Sequence, residues 1–184
     1  MKLAVIFPGI GYHTDKPLLY YGKKLARQYG FEVVEVPYKN FPKDVKSSKE
    51  KMMAAFQTAH DQAEELLREI DFSQYEDILF ISKSIGTAVA AAYAKEHKLF
   101  PYQIYYTPVE GTFLFMGNEG IAFTGTKDPW VELDTVKRGC DEHGIPLYIT
   151  EDGNHSLETG DALSDVANLS LIMTRTKNYI EGIM

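Results

Sequence analysis

The sequence predicts a doubly wound, three-layer α/β fold, and three observations predict it. Six short apolar runs recur along the 184 residues, with helix-like stretches between most of them. The runs are near-continuously hydrophobic instead of alternating, as expected of strands covered on both faces of a mainly parallel sheet. The composition, 45% hydrophobic and 24% charged, is that of a soluble globule with enough apolar material for one three-layer core.

Each element follows in order. Leu3 to Phe7 is the first strand, stopped by Pro8-Gly9. Leu18 to Tyr29 reads as a helix behind Pro17, with Gly30 as its stop signal. Glu32 to Val36 is the second strand. Residues 48 to 70 form the longest helix, with Met52, Phe56, Ala59, Ala63, Leu66 and Ile70 on one stripe. The basic stretch at 43–51 carries acids of its own and reads as the solvated start of that helix. Ile78 to Ile81 is the third strand, and an alanine-rich helix follows it with no loop between. Gln103 to Tyr106 and Ile121 to Thr124 are strands joined by a partly non-helical connection. A helix from Pro129 to about His143, ended by Gly144, leads to the strand Pro146 to Ile149. The last helix covers roughly Leu163 to Ile180. Right-handed crossovers then give a six-stranded sheet of order 2-1-3-4-5-6. No repeat, low-complexity tract or linker divides the chain, so residues 1–184 read as a single domain.

Composition narrows the partners. A formal net charge of −7 argues against nucleic acid, whose phosphates need clustered Lys and Arg. Cys140 is the only cysteine, so neither an intrachain disulfide nor a CxxC metal knuckle is possible. The N-terminal apolar run is too short for a signal sequence, and no run approaches a membrane-spanning length. A cytoplasmic protein without membrane contact is the expectation.

In a doubly wound sheet, chemistry belongs at the carboxyl ends of the strands. Four loops at that edge hold unusual residues: FPGIGYHTDKP, ISKSIG, TGTKDPW and TEDGNHSLE. They present Ser84, Asp128 and His155, each after its own strand. Ser84 sits in a sharp strand-to-helix turn, with Ser82 and Gly86 as the small residues that such a turn needs on either side. The helix that follows aims free N–H groups at the hydroxyl. His155 is the candidate base and Asp128 the carboxylate that orients it. The N–H of Ile85 is one expected oxyanion donor, and the second comes from Ile10 or, failing that, Gly11. Gly9 and Gly11 would let the first loop approach without side-chain obstruction.

These four loops together resemble those of the α/β-hydrolase family. SKSIG resembles the nucleophile elbow G-x-S-x-G, with Ser82 in place of the first glycine. TGTKDPW is similar to the family's acid loop, GNHSLE to its histidine loop and FPGIGY to its oxyanion loop. The order Ser, Asp, His is the family's own, and the resemblance spans nearly the whole chain. It implies a small α/β-hydrolase that lacks the first two of the family's eight strands. Only about ten residues separate Val109 from Ile121, where larger relatives insert a lid. An open, lidless carboxylesterase-like site for a small-molecule acyl substrate follows, with a peptidase or thioesterase as the alternative. No cofactor or metal is implied.

Other residues have plainer readings beside sharper ones. Ser84 and Asp128 are each acceptable helix N-caps, Asp128 with proline behind it at the first helical position. Asp134 is a weaker substitute for the acid, and Glu151 and Asp152 lie too close to His155 in sequence. Lys83 is a poor base for its neighbour Ser84. Its stem is expected to pack while its ammonium reaches solvent, the sharper reading being attraction of an anionic part of the substrate. Tyr12, His13, Phe113 and Trp130 are substrate-contact candidates, Tyr12 first. Tyr38 and Phe115 lie near the same loops. His60, His97 and His143 fall on helices or their ends, and Cys140 reads as packing.

Two rival functions remain. GIGYHT after the first strand, with Glu35 ending the second, is an incomplete dinucleotide-binding pattern whose third glycine is missing. A non-catalytic binding module on the hydrolase fold is the other.

Overall fold

The computed structural model describes residues 1–41, 43–45 and 48–183. Six strands form one sheet of order β2-β1-β3-β4-β5-β6, and every neighbouring pair is parallel. They are β1 (Lys2–Phe7), β2 (Glu32–Glu35), β3 (Asp77–Lys83), β4 (Tyr102–Tyr106), β5 (Ile121–Gly125) and β6 (Leu147–Thr150). Five helices accompany them: α1 (Pro17–Gln28), α2 (Lys49–Leu67), α3 (Ile85–Glu96), α4 (Leu133–His143) and α5 (Ala162–Ile183).

The near-continuous hydrophobicity of the strands is explained by the two layers that cover them. In β1, Ala4 and Ile6 join a core with Leu18, Leu19, Ile172 and Ile180 of α1 and α5. Leu3, Val5 and Phe7 face the opposite way, against Ala59, Ala63 and Leu67 of α2 and Val89, Ala90 and Tyr93 of α3. A third cluster packs Val136 and Cys140 of α4 on Ala91, Tyr105 and Ala122. Every second residue therefore serves a different layer.

Helix boundaries follow local chemistry. Pro17 stands at the start of α1, where its missing N–H costs nothing. The side chain of Ser48 accepts a hydrogen bond from the N–H of Lys51 at 3.2 Å and so caps α2. Of the basic stretch before α2, Lys46 and Ser47 lie outside the described residues. Gly144 ends α4 in the left-handed conformation.

Three expectations need correction. The longest helix among the described residues is α5, with 22 residues, and not α2, with 19. The buried stripe of α2 is Ala55, Ala59, His60, Ala63 and Leu67, whereas Leu66 is exposed. Ala59 and Ala63 go inward as expected and Met52 and Phe56 pack half-buried on the core, while small side chains at 55, 59 and 63 let α2 seat closely on the alanine-rich α3. Helix α4 starts at Leu133, not Pro129. Asp128 does not cap it, because its side chain is engaged elsewhere.

The order 2-1-3 puts the loops after β1 and β3 side by side, at the point where the winding reverses. The loops after β5 and β6 lie along the same edge. No helix among the described residues is long and apolar enough to cross a membrane.

Candidate active site

Between the last residue of β3 and the first of α3 there is a single residue, Ser84, with φ 56° and ψ −126°. L-residues rarely adopt that conformation, and the surroundings hold it in place. Its N–H donates to the Tyr106 carbonyl at 3.0 Å, and its carbonyl accepts from the N–H of Thr87 at 2.9 Å. The side chain caps nothing, so Ser84 occupies the N-cap position without acting as one. Gly86 makes the turn possible. A Cβ there would lie 2.3 Å from the Pro8 carbonyl oxygen and 2.4 Å from that of Phe7. Ser82, where the family pattern has glycine, is buried and donates to the Ile104 carbonyl at 3.1 Å.

The Ser84 hydroxyl meets Nε2 of His155 at 2.7 Å, and Nδ1 of the same ring meets Oδ2 of Asp128 at 2.7 Å. A carboxylate only accepts, so Nδ1 carries the ring proton and Nε2 accepts from the serine. The Asp128 side chain is 1% exposed. Its second oxygen accepts the Trp130 N–H at 2.9 Å, which fixes the carboxylate and delays the start of α4. Trp130 also stacks on the His155 ring, with centroids 5.0 Å apart and planes 22° from parallel. The His155 loop is shaped by Asn154, whose side-chain oxygen accepts the Ser156 N–H at 2.7 Å and the Glu158 N–H at 3.2 Å. Asn154 was missed in the sequence, although an Asn directly before a loop histidine signals such a turn.

On the other side of Ser84, the loop after β1 folds back on itself, with the Gly9 N–H donating to the Tyr12 carbonyl at 3.1 Å. Gly11 has φ +71° and open space around its α-carbon, so this glycine serves backbone conformation and not close approach. Gly9 is the residue packed near Ser84 and the Lys83 carbonyl. The N–H of Ile85 opens α3, and no described backbone carbonyl accepts it or the N–H groups of Ile10 and Gly11. All three residues line the cavity above Ser84.

That cavity measures about 500 Å³ and is walled by Ile10, Tyr12, Lys83, Trp130 and His155, with Val45 and Met52 opposite. The Tyr12 hydroxyl accepts the Leu18 N–H at 3.1 Å, and burial pushes its pKa up to about 12. Lys83 contradicts its expected place in solvent. It is 1% exposed, its ammonium lies 4.9 Å from the centre of the Tyr12 ring, and burial pulls its pKa down to about 7. The side chain stays inside, its ammonium against the Tyr12 ring at the cavity wall.

Other candidates fall away from the cavity. His13 is exposed, and its Nδ1 accepts the Asp15 N–H at 3.3 Å. The Phe113 ring packs on Gly139 of α4, within the third core cluster. Phe115 stacks with Phe56, and Tyr38 packs edge-on against Phe41. Asp134 lies in the first turn of α4, and Asp152 pairs with Lys127 at 2.7 Å. Burial raises the Cys140 thiol to about 12, which makes it inert packing. The dinucleotide pattern also dissolves. Its glycines form a closed turn well ahead of α1, and Glu35 is held by Lys23 at 3.0 Å.

No protein-family model matches the chain, and no curated protein matches it in sequence. Solved structures do resemble it. A serine hydrolase without a lid, XC6422 from Xanthomonas campestris, aligns with a TM-score of 0.71 at 14% identity, covering 98% of this chain and 81% of that one. Est1E from Butyrivibrio proteoclasticus, solved with ferulic acid bound, aligns with a TM-score of 0.70 at 12% identity, over 99% and 89%. An α/β serine hydrolase homologue from Coxiella burnetii aligns with a TM-score of 0.68 at 14% identity, over 97% and 84%. The chain has the α/β-hydrolase fold in its small, lidless form.

Proposed function

We propose that this protein is a serine hydrolase that cleaves a small carboxylic ester through an acyl-enzyme. One observation carries the reading: a buried carboxylate, an imidazole and a strained serine are linked by two 2.7 Å contacts at the floor of an open cavity. A serine hydroxyl is a weak nucleophile alone, and a hydrogen-bonded imidazole is what activates it.

In the first half-reaction, Oγ of Ser84 attacks the ester carbonyl carbon as its proton passes to Nε2 of His155. Asp128 stabilises the imidazolium that forms. The carbonyl oxygen becomes an oxyanion and is met by the N–H of Ile85 and an N–H from Ile10 or Gly11. The C–O bond then breaks, and the leaving alkoxide takes the proton from Nε2. In the second half, water attacks the acyl-serine, gives its proton to Nε2 and releases the acid, and the proton returns to Ser84. The short 107–120 connection gives the cavity only Val109 and carries no lid domain, which suits acyl groups small enough to sit in about 500 Å³.

The test is covalent labelling. A fluorophosphonate probe is expected to label the wild-type chain on Ser84 and to leave Ser84→Ala unlabelled, with turnover of p-nitrophenyl acetate lost by roughly 10⁵-fold or more. Labelling of Ser84→Ala at another residue, or retained turnover, would overturn the assignment.

A further inference from the structure

Two lysines are buried among the described residues, and they are treated differently. Lys23 is 5% exposed and clamped between Asp15 at 2.9 Å and Glu35 at 3.0 Å. Lys83 is more deeply buried, yet no carboxylate pairs with it among the described residues and no hydrogen-bond acceptor reaches its ammonium. Among the described residues its ammonium rests against the face of Tyr12. A buried cation without a counter-ion is expensive, and proteins normally pair it or replace it. The acyl-transfer steps make no use of it. Nor does the fold need a lysine at the end of β3, where any apolar side chain would pack more cheaply.

Position gives the reason. Lys83 directly precedes the nucleophile and lines the same cavity as Ser84 and His155. Among the described residues that wall the cavity it is the only lysine or arginine, and the carboxylate there, Asp44, is exposed. Asp128 and Glu158 act on Lys83 from longer range and only partly offset its loss of hydration. Asp128 is already committed to His155 and the Trp130 N–H. The counter-ion is missing on the side that faces the cavity.

Resting on the acyl-transfer reading above, we infer that the substrate is an ester bearing a carboxylate, and that Lys83 is the residue that pairs with it. The carboxylate replaces the water that the ammonium has lost and seats the ester against Ser84. A neutral ester of the same length gains nothing from the lysine. Selectivity therefore comes from a charge placed beside the nucleophile.

The experiment compares matched esters in one enzyme. Monomethyl glutarate against methyl pentanoate places the charge in the acyl part. Acetoxyacetate against propyl acetate places it in the alcohol part. Wild type is expected to favour the charged member of at least one pair by tenfold or more in kcat/KM, and the pair identifies the side. In Lys83→Met the ratio should fall to one or below, and a ratio within one enzyme cancels any general loss of activity. A wild-type ratio of one or less in both pairs would overturn the inference, as would a ratio unchanged in Lys83→Met. The latter result would make Lys83 only a distant partner of Asp128.

Glutarate binding to Ser84→Ala, followed by titration calorimetry at pH 8, separates this inference from the catalytic reading. The empty-site lysine is then largely neutral, so binding an anion should draw a proton from the buffer. The heat should accordingly differ between phosphate and Tris. Tyr12, Asp128, Glu158 and His155 face or adjoin Lys83, so the uptake is assigned to Lys83 only if it vanishes in Ser84→Ala/Lys83→Met. Uptake without ester turnover would keep the anion site and sink the acyl-transfer reading. Turnover without charge preference or proton uptake would do the reverse.

Discussion

The β3–α3 and β5–α4 junctions each deliver one polar side chain to His155, by opposite means. After β3 the turn is one residue long and is held by main chain. Tyr106 and Thr87 bond the peptide groups of Ser84, and Gly86 lies flush against the carbonyls of Phe7 and Pro8. After β5 the chain takes seven residues, 126–132, to reach its helix, and Asp128 is held by its own side chain. Stored strain positions the serine, and directional hydrogen bonds position the acid. The first kind of junction should fail structurally when altered, and the second chemically.

Gly86→Ala is expected to have the largest effect. The added carbon meets two backbone oxygens that belong to the neighbouring strand's exit, so neither can rotate away. A loss of about 3 kcal/mol or more is expected, read as a collapse of the thermal midpoint together with activity. A variant that melts like wild type would break the contrast at its root.

Asp128→Asn tests the other junction. Asn still accepts the Trp130 N–H, so the thermal midpoint should move by no more than a few degrees. It offers no charge to the imidazolium and supports the wrong tautomer, so kcat should fall by about 10³–10⁴. Unfolding of this variant on the scale of Gly86→Ala would show that the acid loop is structural after all.

Ser82→Ala gives the smallest effect and sharpens the comparison. It removes one buried side-chain bond, to the Ile104 carbonyl, and should cost about 1 kcal/mol in chemical denaturation with kcat unchanged. A larger cost would mean that side chains, too, hold the β3 junction.

The same contrast explains what could be read from the sequence. The serine turn was legible because its signals are local: an apolar run, a serine, a glycine two residues on, then alanines. Strand order followed from crossover rules, and the Ser, Asp, His succession from the loops that follow the strands. The start of α4 was not legible. Asp128-Pro129 has the composition of a helix start, and His155, from a different strand, together with the Trp130 N–H engages the aspartate's side chain instead. Lys83 was misplaced for a similar reason, since Tyr12, whose ring its ammonium rests against, lies on a loop far off in sequence. Phe113 and the exposed Leu66 show the limit of periodicity. It marks which residues are apolar, but the small residues of a neighbouring helix decide which of them go inward.

The short 107–120 connection bears on timing as well as on access. A connection this short has no lid domain to open and close, so in the proposed hydrolysis substrate entry and product exit would not wait on one. In the reaction proposed above, the acyl group on Ser84 would meet bulk water as soon as the alcohol departs. Water at about 55 M outcompetes most other acceptors unless a site excludes it. A covered serine can hand its acyl group to a chosen partner, whereas this one, if it forms the proposed acyl-enzyme, would commit each turnover to release of the free acid.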